Sequence, residues 1–249
     1  MGNEVYLVGV YGNDLTHAQS AWCSTDRELT EDKLSRVDKL IDMLMSEKHH
    51  TPFEKSTMHF LVKSEIASHI HLLKHRIGVS VNAESARYKE LGERKGKGED
   101  SFYIPYDWPE EEMARYVKHL EGSYKKYHEA INNLVAAGYK RKRAKESARF
   151  YLPYGIQIMQ DVTFNMRSFL HFQVLRNSEH AQAEIREIAQ TMRDLLESLD
   201  DRFALTFSAF DKMIEEERIM NDLKAVLKEK GLMSPLLSLE ELKQRLNLD

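Results

Sequence analysis

Between residues 110 and 137, apolar side chains recur at Met113, Val117, Leu120, Tyr124, Tyr127, Ile131 and Leu134, in steps of three and four. That spacing puts all seven on one stripe of an α-helix. At about 1.5 Å per residue the helix is roughly 40 Å long, and its stripe must be covered by other parts of the chain. Cover is plentiful: of 249 residues, 42% are hydrophobic and 9% aromatic, which excludes a disordered chain. Only five prolines interrupt the sequence, and no repeat or Pro/Gly-rich linker marks a boundary. The expectation is a single domain over residues 1–249, with a charged glycine-rich surface loop at 92–100 and a tail helix at 231–249 carrying Leu236, Leu237, Leu239, Leu242 and Leu246.

Shorter patterns fill in the class. Residues 5–11 are apolar and β-branched enough for a strand, while 57–63 and 156–164 alternate as half-buried strands do. Thr30 is placed to cap a helix with the stripe Leu34, Val37, Ile41 and Leu44. Ser64 is expected to cap a helix burying Ile66, Ile70, Leu73 and Ile77, and Asn165 to cap the one after the third strand. Helices are expected at 169–176, 181–199 and 212–228. Helices outnumber strands, so the fold class is α+β, a mixed or antiparallel sheet flanked by long helices.

Charge and cysteine content narrow the function classes. With 36 basic and 40 acidic side chains the net charge is −4, against a general nucleic-acid coat. No run approaches the roughly 18 apolar residues that span a bilayer. The N-terminal residues lack a secretory pattern, and Tyr6 stands where myristoylation after Gly2 needs Ser or Thr. The lone Cys23 excludes an internal disulfide, fits a reducing cytoplasm, and has no base beside it in sequence.

Two segments carry chemistry. Residues 71–88 present His71, Lys74, His75 and Arg76 at a helix end, then small and polar residues up to Ser85 and Arg87. The helix dipole accounts for part of this, at about 0.3–1 kcal/mol per cation. The alternative is a site for a phosphate and a planar ligand, since Arg offers a bidentate fork. His71 and His75 are four apart, but Leu72 stands where a zincin has Glu, so no metal site is expected. The second segment contains Arg149, then Asn165, Arg167, His171 and Arg176. Ordinary capping and a solvated basic face are one reading. The neighbours Phe164, Phe169, Phe172 and Leu175 suggest another, in which Arg167 and His171 point into an aromatic-walled pocket holding an anionic ligand.

Together these residues resemble the flavin-dependent thymidylate synthases (ThyX). Lys74-His75-Arg76, Ser85 and Arg87 look like that family's Arg-His-Arg, seven residues, Ser-x-Arg signature. His50-Thr51-Pro52-Phe53-Glu54, Phe102-Tyr103-Ile104-Pro105, Asn165-x-Arg167-Ser168 and His180-Ala181-Gln182 follow in the family's order. The resemblance implies FAD-dependent reductive methylation of dUMP to dTMP, with methylenetetrahydrofolate as carbon donor and NADPH as reductant, in a cytoplasmic homotetramer that binds neither nucleic acid nor membrane. It implies FAD contacts from Ser24, Thr51, Lys74, His75, Arg76, Glu84, Asn165, Arg167 and His171. It implies dUMP contacts from His71, Lys74, Ser85, Ala86, Arg87, Arg149 and Arg176, with Arg176 the catalytic residue that favours ionisation at uracil N3. The chain departs from the pattern: Lys74 replaces the first Arg, eight residues separate Arg76 from Ser85, Glu84 is displaced by one position, and His71 and His171 replace a usual Gln and Asn. These departures leave UMP or dCMP, and a 5-hydroxymethyl product, as alternatives. Without the resemblance, a non-catalytic nucleotide-binding helical protein also fits.

Overall fold

The computed structural model describes residues 2–85, 87–88, 90, 102–229, 241 and 244. In chain order the elements are β1 (Glu4–Tyr11), α1 (Asp14–Trp22), α2 (Glu31–Leu34), α3 (Val37–Ser46), β2 (Thr57–Glu65), α4 (Ile66–Leu73), β3 (Val79–Ala83), α5 (Glu110–Ala136), α6 (Arg141–Ala148), β4 (Gln157–Asn165), α7 (Met166–Arg176), α8 (Ala183–Glu197) and α9 (Ala204–Glu229). The α+β class is as expected, and the sheet is antiparallel throughout, in the order β1-β2-β4-β3. The chain falls into two compact units, Met1–Gly12 with Phe53–Asp200, and Asn13–Pro52 with Asp201–Asp249. The glycine-rich stretch 92–100 and nearly all of the tail 231–249 lie outside the described residues.

The first unit contains the sheet. The central pairing sets Met58 opposite Phe164 and Phe60 opposite Val162, all four buried on one face. Helix α7 covers that face. Phe169 lies 6.1 Å from the Phe60 ring and 5.8 Å from Phe164, and Phe172 lies 5.2 Å from Phe164. Each such ring contributes about 1.5–3 kcal/mol by leaving water. The C-terminal half of the α5 stripe is covered by α6, with Tyr127 and Ile131 packed with Ala144 and Ala148. The second unit is helical, and its core includes Ile41, Leu44 and Met45 of α3 with Phe207 and Phe210 of α9. Asp14, at the start of α1, caps α9 from outside, accepting from Leu205 N at 2.8 Å and Thr206 N at 3.0 Å.

Three local expectations fail for identifiable reasons. The helix capped by Thr30 breaks after Leu34, which stays exposed. The Ser35 hydroxyl donates to Asp32 O, competing with the helical ladder, and α3 begins afresh at Val37. Ser64 does not cap α4, because the β2–β4 pairing runs on to Glu65↔Gln157. Ser64 therefore lies in the strand and accepts from Gln160 Nε2, and Glu65 is the cap, accepting from Ser68 N at 3.0 Å. Finally, α4 buries Ser68 and Leu72, while Ile70, Leu73 and Ile77 are exposed. With apolar residues on both sides of the helix, spacing alone does not say which side faces inward.

Candidate functional site

The site begins at a glycine. Gly78 has φ +65°, a left-handed conformation costly to residues with a Cβ. A Cβ there would also stand 2.3 Å from both Asn165 Nδ2 and Ser168 Oγ. The close approach allows three bonds: Asn165 N donates to Gly78 O at 3.0 Å, Ser168 Oγ donates to Ile77 O at 2.7 Å, and Asn165 Oδ1 caps α7 by accepting from Ser168 N at 2.9 Å. The turn after α4 is thereby tied to the start of α7.

That tie brings the two basic segments together. His75 Nε2 accepts from Arg176 Nε at 3.1 Å. The His75 ring meets Phe172 edge-on at 5.1 Å and His171 at 6.1 Å. Burial first, then the positive surroundings of Arg176, His171 and His71, push His75 down to about 4, so it is neutral at pH 7. Burial and the Arg176 guanidinium also lower His71, against a hydrogen bond with Gln182 that raises it. His71 Nδ1 is buried with no hydrogen-bond partner. Among the described residues no carboxylate is paired with Lys74, Arg76 or Arg176, and Lys74 and Arg76 are exposed. The result is a patch of uncompensated cations around two neutral imidazoles, able to receive phosphate and the edge of a planar ring.

Other expected residues are engaged differently. Arg167 and His171 are exposed, and no aromatic pocket encloses them, because α7 turns Phe169 and Phe172 inward and presents Arg167 and His171 outward. Arg167 pairs with Glu54 at 2.5 Å. Arg87 forms a second cluster with Glu146 of α6 at 2.8 Å, beside Ser85, whose Oγ accepts from Arg87 N. Arg149 lies over the Phe150 ring. Glu84 Oε2 accepts from Met159 N at 3.2 Å, extending the β3 edge. Ser24, whose hydroxyl donates to Ala21 O, and Thr51 belong to the second unit. Ala86 lies outside the described residues. Strand β3 and Glu146, the acidic partner of Arg87, are two features absent from the sequence expectations. The alternation of Val79 and Val81 was the available signal for the first, and nothing in local spacing marks the second. Among the described residues, no group of three His, Cys, Asp or Glu could hold a metal, and no helix is long and apolar enough to cross a membrane.

Comparison with known proteins identifies the family. Residues 7–200 match the family described as thymidylate synthase complementing protein. The flavin-dependent thymidylate synthase of Streptomyces avermitilis is 31% identical over 211 residues, 77% of this chain and 84% of that one. That of Pseudothermotoga lettingae is 31% identical over 202 residues, 78% and 85% of the two chains. Among solved structures, the UMP/dUMP methylase PolB from Streptomyces cacaoi, bound with 5-Br UMP, superposes with a TM-score of 0.64 at 26% identity, covering 85% of this chain and 94% of that one. The same methylase bound with 5-Br dUMP gives 0.64 at 29% identity, covering 84% and 95%. The chain with the Gly78 turn and the His75–Arg176 contact is an enzyme of the thymidylate synthase complementing protein family, the flavin-dependent thymidylate synthases.

Proposed function

We propose that this chain, as a single catalytic domain, methylates dUMP at C5 of uracil to give dTMP, using FAD, methylenetetrahydrofolate and NADPH, as a homotetramer in the cytoplasm. The observation that carries the proposal is the meeting of residues 71–76 with His171 and Arg176, two stretches about a hundred positions apart in the chain. The donor set fits a flavin dinucleotide beside a nucleotide. Lys74 and Arg76 offer unpaired positive charge to phosphates, and the orphaned His71 Nδ1 awaits a polar partner. When bound, the flavin supplies hydride transfer and one-carbon relay.

The chain's own residues bind and polarise. Uracil C5 is a weak nucleophile until the ring gains electron density. Arg176, against the base, stabilises an anion at N3 and so enriches C5 without a thiol adduct. Arg87, Ser85 and Arg149 receive the 5′-phosphate, whose greater charge displaces Glu146 from Arg87. The exposed apolar residues Ile70, Leu73, Ile77, Val174 and Leu175 support self-association.

Mass spectrometry of the product made from dUMP, UMP or dCMP, with methylenetetrahydrofolate and NADPH, tests the proposal. A gain of one methyl on dUMP is expected. The solved methylase bound with both 5-Br UMP and 5-Br dUMP favours UMP as the second reading, and turnover of UMP alone would replace the first. A hydroxymethyl adduct would reject both. Arg176→Ala is expected to abolish turnover while flavin titration shows binding largely intact; retained turnover removes Arg176 from its role.

A further inference from the structure

We propose that His75, with its proton on Nδ1, is the positioning residue for Arg176, accepting the guanidinium Nε–H and leaving the four Nη hydrogens for the pyrimidine. The inference rests on the proposed function and goes beyond it by giving the signature histidine a role in aiming a second side chain.

The geometry limits what His75 can be. Arg176 Nε is always a donor, so the His75 Nε2 that sits 3.1 Å away must be a bare lone pair. The ring cannot swing freely, since Phe172 meets it at 5.1 Å and His171 at 6.1 Å. Titratable or charged groups face it from both neighbouring elements, His71 from α4, and His171 and Arg176 from α7. Each of the three opposes a positive charge on His75, and no carboxylate is among them. Protonating Nε2 would set donor against donor and cation against cation, releasing Arg176. The neutral state is thus maintained by the same surroundings that need it. A guanidinium with one fixed Nε bond keeps its plane, so its remaining donors meet a planar base edge in one orientation.

The test joins a spectroscopic and a kinetic arm. Nitrogen NMR of the full chain labelled in histidine, with the His75 signal assigned by its loss in His75→Gln, should show the Nδ1-protonated tautomer, neutral down to pH 5. A proton on Nε2, or titration above pH 6, overturns the inference. In turnover measured at saturating flavin, His75→Leu should lose about 100-fold in kcat, the scale of a misplaced catalytic group. His75→Gln, whose amide oxygen accepts from Nε, should recover most of the rate. Wild-type turnover with an unimpaired His75→Leu overturns the inference alone. A wild-type chain that binds no flavin and methylates neither dUMP nor UMP overturns the proposed function, and this inference with it.

Discussion

Gly78 holds two ends of the site together through the absence of a side chain. An added Cβ meets both a left-handed backbone angle and two polar atoms at 2.3 Å. Gly78→Ala should therefore cost about 1–3 kcal/mol, seen as a lower urea midpoint, and should weaken flavin binding because the turn 74–78 loses its anchor. Unchanged values would mean that the turn is not fastened through this residue. His17 poses a separate question of charge. Burial pushes it down to about 4, and its Nδ1 lies 3.0 Å from Thr206 Oγ1. A pKa depressed in the folded state gives stability that is complete above about 6.5 and is lost as pH falls toward 4. The loss approaches roughly 3 kcal/mol. His17→Gln should flatten the fall in unfolding free energy between pH 6.5 and 4; an unaltered slope assigns that fall to other groups.

Among the elements, α9 takes its N-terminal support from a residue nearly two hundred positions earlier in the chain. The Asp14 carboxylate accepts from two backbone N–H groups and from Thr206 Oγ1 at 2.5 Å. Asp14→Ala should destabilise the chain by about 2 kcal/mol, the upper range for a helix cap, and amide exchange should quicken first at Leu205 and Thr206. Uniform exchange would dismiss the cap. Helix α7 illustrates how much of an element can be read from its letters. Asn165 as its cap and Arg176 as its end were both legible, since capping is local chemistry. The direction of Arg167 and His171 was not, because four phenylalanines and leucines nearby do not reveal which side of the helix the sheet will cover.

On the scale of the whole molecule, the single chain leaves Ile70, Leu73, Ile77, Val174 and Leu175 exposed. Leu73→Glu combined with Leu175→Glu should lower the mass found by sedimentation from tetramer toward monomer. A mass already monomeric in the wild type would remove the tetramer from the proposal. The composition, the long stripe of α5, the α+β class and the family signature were all present in the order of residues, because they depend on neighbours within a few positions or on motif order. Only the folded chain decided that Nε of Arg176 meets His75 and that Glu146 holds Arg87. Those contacts join distant segments, and their partners are selected by strand register, by the closeness that Gly78 permits and by which helix faces are buried, none of which a linear spacing encodes.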